Sequence, residues 1–431
     1  MDQLTVSLLL VGILFGVLFC GLWIGFALMT VAAATLLLLG NDSLGAIMAT
    51  SIWGQSSLWT LTPLPLFIWM GEILFRTRLS DDMFTGLSPW VGRLPGRLLH
   101  VNVLGCGIFA AVSGSSTATC ATIGRICLPE LMRRGYDERM AIGSLAASGT
   151  LGLLIPPSII MIVYGAAADV SIARLFIAGI LPGLLVMALF SGFIAVWSIV
   201  TGADAGETGA RVAWRERLRA SRRLIPVVGL IVAVIGSIYA GVATPTEAAA
   251  IGVLGALILA ALTGTLSRAT LRASLVSATI TSCMIAFILS GSAFLTTAMA
   301  FSGIPRFVTA QLVALDPSPY TFLIYLSVIY VVLGCFLDGI SIIVLTTAVI
   351  LPAVRHFGID LIWFGIYIVL VVEIAMITPP VGFNLFVIQN LTGRNIFAIS
   401  AATLPFLGLL LVAIATLTVF PAIVTWLPSL L

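Results

Sequence analysis

"VSGSSTATCATIGR", residues 112–125, places six hydroxyl side chains and two glycines between long apolar runs. Across the 431 residues, 60% are hydrophobic and only 9% are charged, whereas about 25% of residues are charged in a soluble globular domain. The apolar runs are continuous and lack the alternation of a transmembrane β-barrel. The composition therefore predicts an all-α polytopic membrane protein, in which this polar stretch is unexpected.

A repeat with one constant offset organises the chain. The stretch "ICLPELMRRGYD" (126–137) resembles "VILPAVRHFGID" (349–360), 223 residues later. The Pro-Pro pair in "LIPPS" (154–158) recurs in "ITPPV" (377–381) at the same offset. The sequence thus predicts a duplication, and the two halves are joined by a polar linker that contains six arginines.

Both halves have the same order of segments: three spans, a segment rich in small residues, a span interrupted by Pro-Pro and a final span. The first half, 1–200, has predicted spans at 4–20, 23–40 and 51–76, then 97–132, a broken span 140–165 and a span 174–200. After the linker 201–223, the second half, 224–431, has 224–241, 247–265 and 274–300, then 321–356, 361–390 and 399–429.

The distribution of arginine predicts the topology, because arginine is enriched on the cytoplasmic side of membranes. If the linker is cytoplasmic, Arg76 and Arg97 stay inside only when 97–132 enters and leaves the membrane on one side. This segment is therefore predicted to be a re-entrant hairpin, and 321–356 to be a second hairpin entering from the opposite side. The halves then have inverted topology, as in many secondary transporters that bind substrate near the midplane.

The opening stretch would form the turn of the first hairpin inside the bilayer. Irregular backbone is tolerated there only beside protein or a water-filled cavity. Gly114 permits a sharp turn, the surrounding hydroxyls can replace water around a small cation, and the following helix N-terminus suits a carboxylate. The alternative is that these small residues only allow close helix packing.

The Pro-Pro stretches are predicted companions of the hairpin turns. In "ASGTLGLLIPPS" (147–158), Pro156 and Pro157 lack backbone donors, and so the helix should break and free carbonyl groups near 149–152 for an ion. The repeat mate "VEIAMITPPVGFN" (372–384) offers Thr378, Gly382 and Asn384. A purely structural kink is the alternative.

Three charged residues are predicted within the membrane. Asp338 in "GCFLDGIS" (334–341) aligns with Ser115, since 338 − 115 = 223, and could ligate a cation, accept a proton or cap the returning helix. An unpaired arginine at the centre of a membrane helix costs about 2.5–3.5 kcal/mol. Arg125 should therefore have a partner, either Glu72, Glu130 or a substrate carboxylate, with a structural role as the alternative. Glu373 precedes the second Pro-Pro pair.

One further motif has a local explanation. In "GVATPTEAAAIGV" (241–253), Thr244, Pro245 and Glu247 have the spacing of a helix capping box, which we favour over ion binding. The six cysteines lie in apolar segments as small packing residues, and the two histidines are far apart, so no metal site of these residues is expected.

Together these motifs resemble the DctM-type large membrane subunit of TRAP (tripartite ATP-independent periplasmic) transporters. The resemblance covers nearly the whole chain and rests on "PLFIWMGEILFRTRLSDDMF", "SGSSTATCATIGRICLPELMRRGYD", "GTLGLLIPPSIIMIVYG", "GVATPTEAAA", "FLDGISIIVLTTAVILP" and "EIAMITPPVGFNLFV". The second hairpin departs from the family pattern, because Gly339 and Thr347 stand where prolines are frequent. This affects the details of the second ion site and not the fold.

The resemblance implies an elevator-type secondary transporter with two inverted repeats, two re-entrant hairpins and two broken helices. It implies Na⁺-coupled uptake of a small organic acid across the bacterial inner membrane, without an organic cofactor or enzymatic activity. Its expected partners are a periplasmic substrate-binding protein, a small four-helix membrane subunit and membrane lipid, with no nucleic acid. The substrate class includes dicarboxylates, keto acids, sugar acids and sialic acids.

The predicted site has two groups of residues and no catalytic residue. The Na⁺ ligands mapped from the family are Ser113, Gly114, Ser115, Gly149, Thr150, Gly152, Asp338, Gly339, Ser341, Thr378 and Gly382. The predicted substrate contacts are Arg125, Ser115, Ser116, Thr117, Pro156 and Asn384.

Other functions are less well supported by the sequence. A single-component ion/dicarboxylate symporter would have similar hairpins but would transport without a binding protein. A passive channel would not require a sodium gradient. An intramembrane enzyme would need a convergent catalytic set, and both histidines lie at inferred membrane edges. An ATP-driven pump would need a P-loop, and the sequence lacks the GxxxxGK[ST] motif.

Overall fold

The computed structural model describes residues 3–77, 79–202, 213–314 and 317–430. Within these ranges every regular element is a helix, which confirms the predicted all-α class. Five described helices are long and apolar enough to cross a membrane, or up to eight if each of three bent helix pairs forms one span. The protein is therefore a multi-pass membrane protein, as its composition predicts.

The first half contains ten α-helices. They are α1 Gln3–Phe19, α2 Ile24–Leu38, α3 Leu44–Ser56, α4 Pro63–Phe75, α5 Leu79–Val91, α6 Leu99–Ser113, α7 Ser116–Arg133, α8 Glu138–Leu154, α9 Ile159–Ala168 and α10 Ile172–Thr201. The helices α6 and α7 pack on each other as a hairpin. The axes of α8 and α9 differ by 41° at the first Pro-Pro pair.

The linker and the second half contain eleven more. They are α11 Trp214–Ser221, α12 Ile225–Tyr239, α13 Pro245–Leu262, α14 Arg268–Ser302, α15 Ile304–Ala314, α16 Pro319–Gly334, α17 Gly339–His356, α18 Leu361–Met376, α19 Phe383–Thr392, α20 Ile396–Val419 and α21 Ala422–Thr425. Linker residues 203–212 lie outside the described residues. The Pro156–Pro157 and Pro379–Pro380 peptide bonds are both cis.

The predicted single span 51–76 is instead a bent pair of helices. The axes of the two parts, Leu44–Ser56 and Trp59–Phe75, differ by 52°. Leu58 has extended backbone angles (φ −65°, ψ 120°), and Pro63 occupies the first position of α4. Proline lacks the backbone donor that a continuous helix would use, and so the apolar run is divided at this point.

Two helices, α5 and α15, lie outside all predicted spans. The buried residues Met83, Leu87 and Val91 of α5 are four residues apart, which is the spacing of an amphipathic helix. A search for that period would have found α5, whereas a search for long apolar runs misses it.

The cores of the two halves centre on α8 and α18. Residues 140–154 of α8 and 363–376 of α18 are all buried, and each helix contacts the other and α20. The 35-residue α14 lies to one side and packs along α2, α3 and α4. A Cβ on Gly291 of α14 would lie 2.8 Å from the Gly25 carbonyl oxygen, so glycine at this position allows close helix contact.

Candidate functional site

The first tip, residues 113–117, is the turn between α6 and α7. Gly114 has a left-handed conformation (φ 61°), which glycine adopts readily, and Ser115 caps α7 by accepting from the Ala118 N–H. The Ser113 and Thr119 hydroxyls are 2.7 Å apart, and Thr119 donates to the Ser115 carbonyl at 2.7 Å. The tip is therefore a compact cluster of hydroxyl and carbonyl oxygens.

The first tip packs on the first break, residues 155–158, which separates α8 from α9. The Ile159 N–H donates to the Gly114 carbonyl at 3.3 Å. A Cβ on Gly114 would lie 2.8 Å from the Pro157 carbonyl, and one on Gly152 would meet the Ser115 carbonyl and lie 2.9 Å from the Ser116 nitrogen. The structure thus brings the two predicted elements together through backbone contacts.

The first tip also contacts the second half of the chain. The Ser116 hydroxyl donates to Asn384 Oδ1 of α19 at 2.9 Å, and Asn384 Nδ2 donates to the Ala146 carbonyl of α8 at 3.0 Å. Ser116 and Asn384 are both buried. Asn384 therefore joins α7, α8 and α19 beneath the tip.

The second tip, residues 335–341, is the turn between α16 and α17. Asp338 caps α17: one carboxylate oxygen accepts from the Ile340 N–H at 3.2 Å, and the other accepts from the Ser341 hydroxyl. The capping role, one of the three predicted for Asp338, is confirmed. The proposed ion-ligand role stays a prediction, and a cation could share these oxygens.

The second tip likewise packs on broken helices. The second break, residues 377–382, accepts the Cys335 thiol at the Pro379 carbonyl, with a sulfur–oxygen distance of 3.5 Å. A Cβ on Gly339 would lie 2.6 Å from Val372 of α18 and 2.7 Å from Ile160 of α9. Both tips therefore contact elements from both halves.

The two tips meet at a cavity of about 630 Å³. Its polar lining comes from the first tip and from the start of α17: Ser115, Ser116, Thr117, Asp338, Gly339 and Ser341. Its apolar lining includes Trp23, Ile285 and Phe287, from the α2 side and from α14. The cavity thus lies between the hairpin tips and the α2–α14 helix pair.

Other predicted site residues are not part of this lining. They are Ser113, Gly114, Gly149, Thr150, Gly152, Pro156, Thr378, Gly382 and Asn384. Several pack directly behind the tips: Gly149 lies against Cys120 of α7 and Asn384. Ser113 lines an adjacent cavity. These residues determine where the tips lie, and their predicted ligand roles remain predictions.

Arg125 lies away from both tips. It is exposed and lines a separate cavity of about 530 Å³. Nine residues separate it from Ser116, which is roughly 13.5 Å along a helix. Of its predicted partners, Glu72 pairs with Arg76 and Glu130 pairs with Arg133 and Arg134. No acidic side chain within the described ranges forms an ion pair with Arg125.

Glu373 is fully buried on α18. Neither carboxylate oxygen has a hydrogen-bond partner among the described residues, and the Thr150 side chain of α8 lies beside it. Because 373 − 150 = 223, the two residues occupy equivalent positions of the predicted repeat.

The predicted capping box at the start of α13 is confirmed. Glu247 Oε2 accepts from the Thr244 N–H at 2.8 Å, and the Glu247 N–H donates to the Thr244 hydroxyl at 3.4 Å. Glu247 is therefore used locally, as its spacing predicts.

Two polar residues near the tips were absent from the predicted site. Thr119 completes the hydroxyl cluster, and its position four residues after Ser115 is the spacing at which a helical hydroxyl reaches a backbone carbonyl. Thr281 of α14 lines the cavity from a region far away in sequence, and no local pattern marks it.

Comparisons with known proteins agree with these features. The family described as "Tripartite ATP-independent periplasmic transporter, DctM component" matches residues 11–423. The C4-dicarboxylate TRAP transporter large permease protein DctM of Pseudomonas aeruginosa is 34% identical over 92% of both chains. The sialic acid TRAP transporter large permease protein SiaM of Vibrio cholerae is 28% identical over 96% of both chains.

A solved structure has a similar fold. The YdaH transporter of Alcanivorax borkumensis superposes with a TM-score of 0.57 at 13% identity, covering 90% of this chain and 88% of that one. At this identity the similarity concerns the fold alone.

The family match spans most of the chain, and these relatives are inner-membrane permease subunits rather than enzymes. A TRAP large permease works with a periplasmic binding protein and a small membrane subunit. This chain therefore belongs to the DctM component family of tripartite ATP-independent periplasmic transporters, the large permease subunits for C4-dicarboxylates and other organic acids.

Proposed function

We propose that this subunit carries out Na⁺-coupled uptake of an organic acid that a periplasmic binding protein delivers, by an elevator movement of the hairpins and broken helices. The observation that supports the proposal is the meeting of both hairpin tips at one cavity lined by Ser115 and Asp338. Each tip is also held by a Pro-Pro break.

An inverted repeat with halves 1–200 and 224–431 and linker 201–223 is supported by equivalent local structures. Ser115 and Asp338 are related by the offset of 223 residues and each caps the returning helix of its hairpin. The 15-residue α6 is about 22 Å long, shorter than the hydrocarbon core of about 30 Å. This length favours a re-entrant hairpin over a complete crossing.

Two cation sites follow from the oxygen clusters. Small hard cations prefer oxygen ligands, and unwound backbone in transporters supplies carbonyl groups to Na⁺. The first tip offers the Ser113 hydroxyl and the Ser115 carbonyl, backed by the 149–152 segment, and the second offers Asp338 and Ser341. We therefore assign the coupling ions to the two tips, the second extending toward Thr378 and Gly382.

The substrate carboxylate fits best at the N-terminus of α7. Helix N-termini favour anions, and two such termini border the cavity. The N-terminus of α17 is already capped by the Asp338 carboxylate, whereas that of α7 is capped by the neutral Ser115. We therefore place the anion near Ser115, Ser116 and Thr117, with Asn384 and Pro156 supporting this turn.

The mobile body in this proposal consists of the helices that hold the tips, α6–α9 and α16–α19. The static body includes α2, α4, α13 and α14, together with the small four-helix membrane subunit. The cavity lies between the two bodies, where a relative movement would change its access from one side of the membrane to the other.

The test uses the permease reconstituted with its small subunit in liposomes, with the cognate binding protein outside. Uptake of the labelled acid that the binding protein retains should require both an inward Na⁺ gradient and that protein. Replacing Na⁺ with K⁺ is the matched control. Uptake that persists without the gradient would support a channel, and uptake without the binding protein would support a single-component symporter.

A further inference from the structure

Three cavities follow one another along the groove between α7 and α19, which pack on each other. Their volumes are about 630, 440 and 530 Å³. From the tips outward, the lining residues of the two helices are Thr117 and Phe383 in the first cavity, Ala121 and Val387 in the second, and Arg125 and Leu391 in the third.

Each helix contributes one residue every four positions, and residues four apart lie on the same helical face. A single stripe of α7 and a single stripe of α19 therefore face all three cavities. Thr117 also lines the second cavity, so the first two share a wall. On α7 the stripe runs from the half-buried Thr117 and Ala121 to the exposed Arg125.

The outer end of the groove has an excess positive charge. The charged residues that line the third cavity are Arg125, Glu138 and Arg394. Glu138 forms two hydrogen bonds with Arg394, at 2.6 and 2.8 Å. Since that pair neutralises itself, the guanidinium of Arg125 is left to interact with an anion that enters the groove.

We propose that the α7–α19 groove is the route by which the transported organic anion leaves the tips toward the cytoplasm, and that Arg125 binds its carboxylate on the way. This inference rests on the proposed function, which places the anion at the tips first. Arg125 thus acts in release, which explains why a charged residue expected to contact substrate lies one helical segment away from the tips.

The experiment measures charge selectivity inside the groove and does not depend on the identity of the acid. In the complex with the small subunit, the exposed Cys20 and Cys283 are replaced by serine, and Ala121→Cys is introduced. Its modification rates by an anionic and a cationic thiosulfonate of similar size are compared at low salt. The anionic reagent should react about tenfold faster, because a cationic cleft concentrates anions.

Adding Arg125→Gln should reduce that rate ratio at least about fivefold, whereas Arg125→Lys should preserve most of it. The matched control is Arg139→Gln, which removes an exposed arginine from the neighbouring cavity and should change the ratio less than about twofold. An unreactive Ala121→Cys, or a ratio that Arg125→Gln leaves unchanged, overturns the proposal. Failure of Na⁺-driven uptake in the separate transport assay would overturn the proposed function while leaving the measured selectivity intact.

Discussion

The two hairpin tips occupy equivalent positions of a duplicated chain but differ in charge. The first tip caps its helix with Ser115 and has a cluster of neutral hydroxyls, whereas the second caps its helix with the carboxylate of Asp338. Both tips line the same cavity. The difference teaches that the shared scaffold provides two helix N-termini, and that a single side chain at each decides whether it attracts an anion or a cation.

The largest effect is expected where backbone meets backbone. Gly152→Ala would force a Cβ against the Ser115 carbonyl, which cannot move without displacing the first tip. We expect loss of transport and a stability decrease of about 1–3 kcal/mol, typical of overpacking. Thermal unfolding in detergent and uptake in liposomes measure the two effects.

The control for this change is Gly192→Ala, because no atom lies within 4 Å of the position of its added Cβ. Alanine there should be neutral or slightly stabilising. Full transport by the Gly152→Ala variant would show that the tip and the break are not rigidly coupled.

Giving the first tip the charge of the second should separate their roles. Ser115→Asp keeps a capping side chain but places a carboxylate where the substrate anion is proposed to bind. A like charge about 6 Å away costs about 3 kcal/mol at an effective dielectric constant of about 20. We therefore expect the half-saturating substrate concentration to rise about 100-fold, measured by initial uptake rates.

The neutral variant Ser115→Asn is the matched control, since asparagine is an equally good helix cap. It should change the half-saturating concentration far less than Ser115→Asp does. Equal effects of the two variants would place the substrate elsewhere.

Removing the charge from the second tip tests the opposite role. Asp338→Asn preserves a helix cap but loses the negative charge, so membrane insertion should be unaffected. We expect the Na⁺ concentration for half-maximal uptake to rise about tenfold, or about 1.4 kcal/mol. An unchanged Na⁺ dependence would mean that Asp338 serves α17 only as a cap.

The smallest expected effect concerns the bond between the first tip and α19. A double-mutant cycle of Ser116→Ala and Asn384→Ala should give a coupling free energy of about 0.5–1.5 kcal/mol. Unfolding measurements on the four variants provide the value. Additive effects would show that this bond contributes nothing beyond the individual side chains.

Much of the architecture could be predicted because it depends on local chemistry. Long apolar runs predict membrane helices, Pro-Pro pairs predict helix breaks, and the offset of 223 residues relates the two tips. The bend between α3 and α4 was missed because hydropathy alone does not detect the extended Leu58. The helix α5 was missed because its apolar residues are periodic rather than continuous.

The site was predictable in its members but not in its arrangement. The polar residues of both tips line one cavity, in line with their rarity in an apolar chain. The cavity that contains Arg125 could not be foreseen, since it depends on how α7 packs against α19. The Ser116–Asn384 hydrogen bond, between residues 268 positions apart, likewise depends on packing that no local spacing encodes.

That hydrogen bond has a consequence for synthesis of the protein. Its donor leaves the ribosome 268 residues before its acceptor, a delay of about 13–54 s at about 5–20 residues per second. During this interval the first hairpin must wait beside the insertion machinery with its buried hydroxyl unsatisfied or temporarily hydrated. The maturation of the first tip is thus the last event in assembly of the chain, although its residues are among the first to be made.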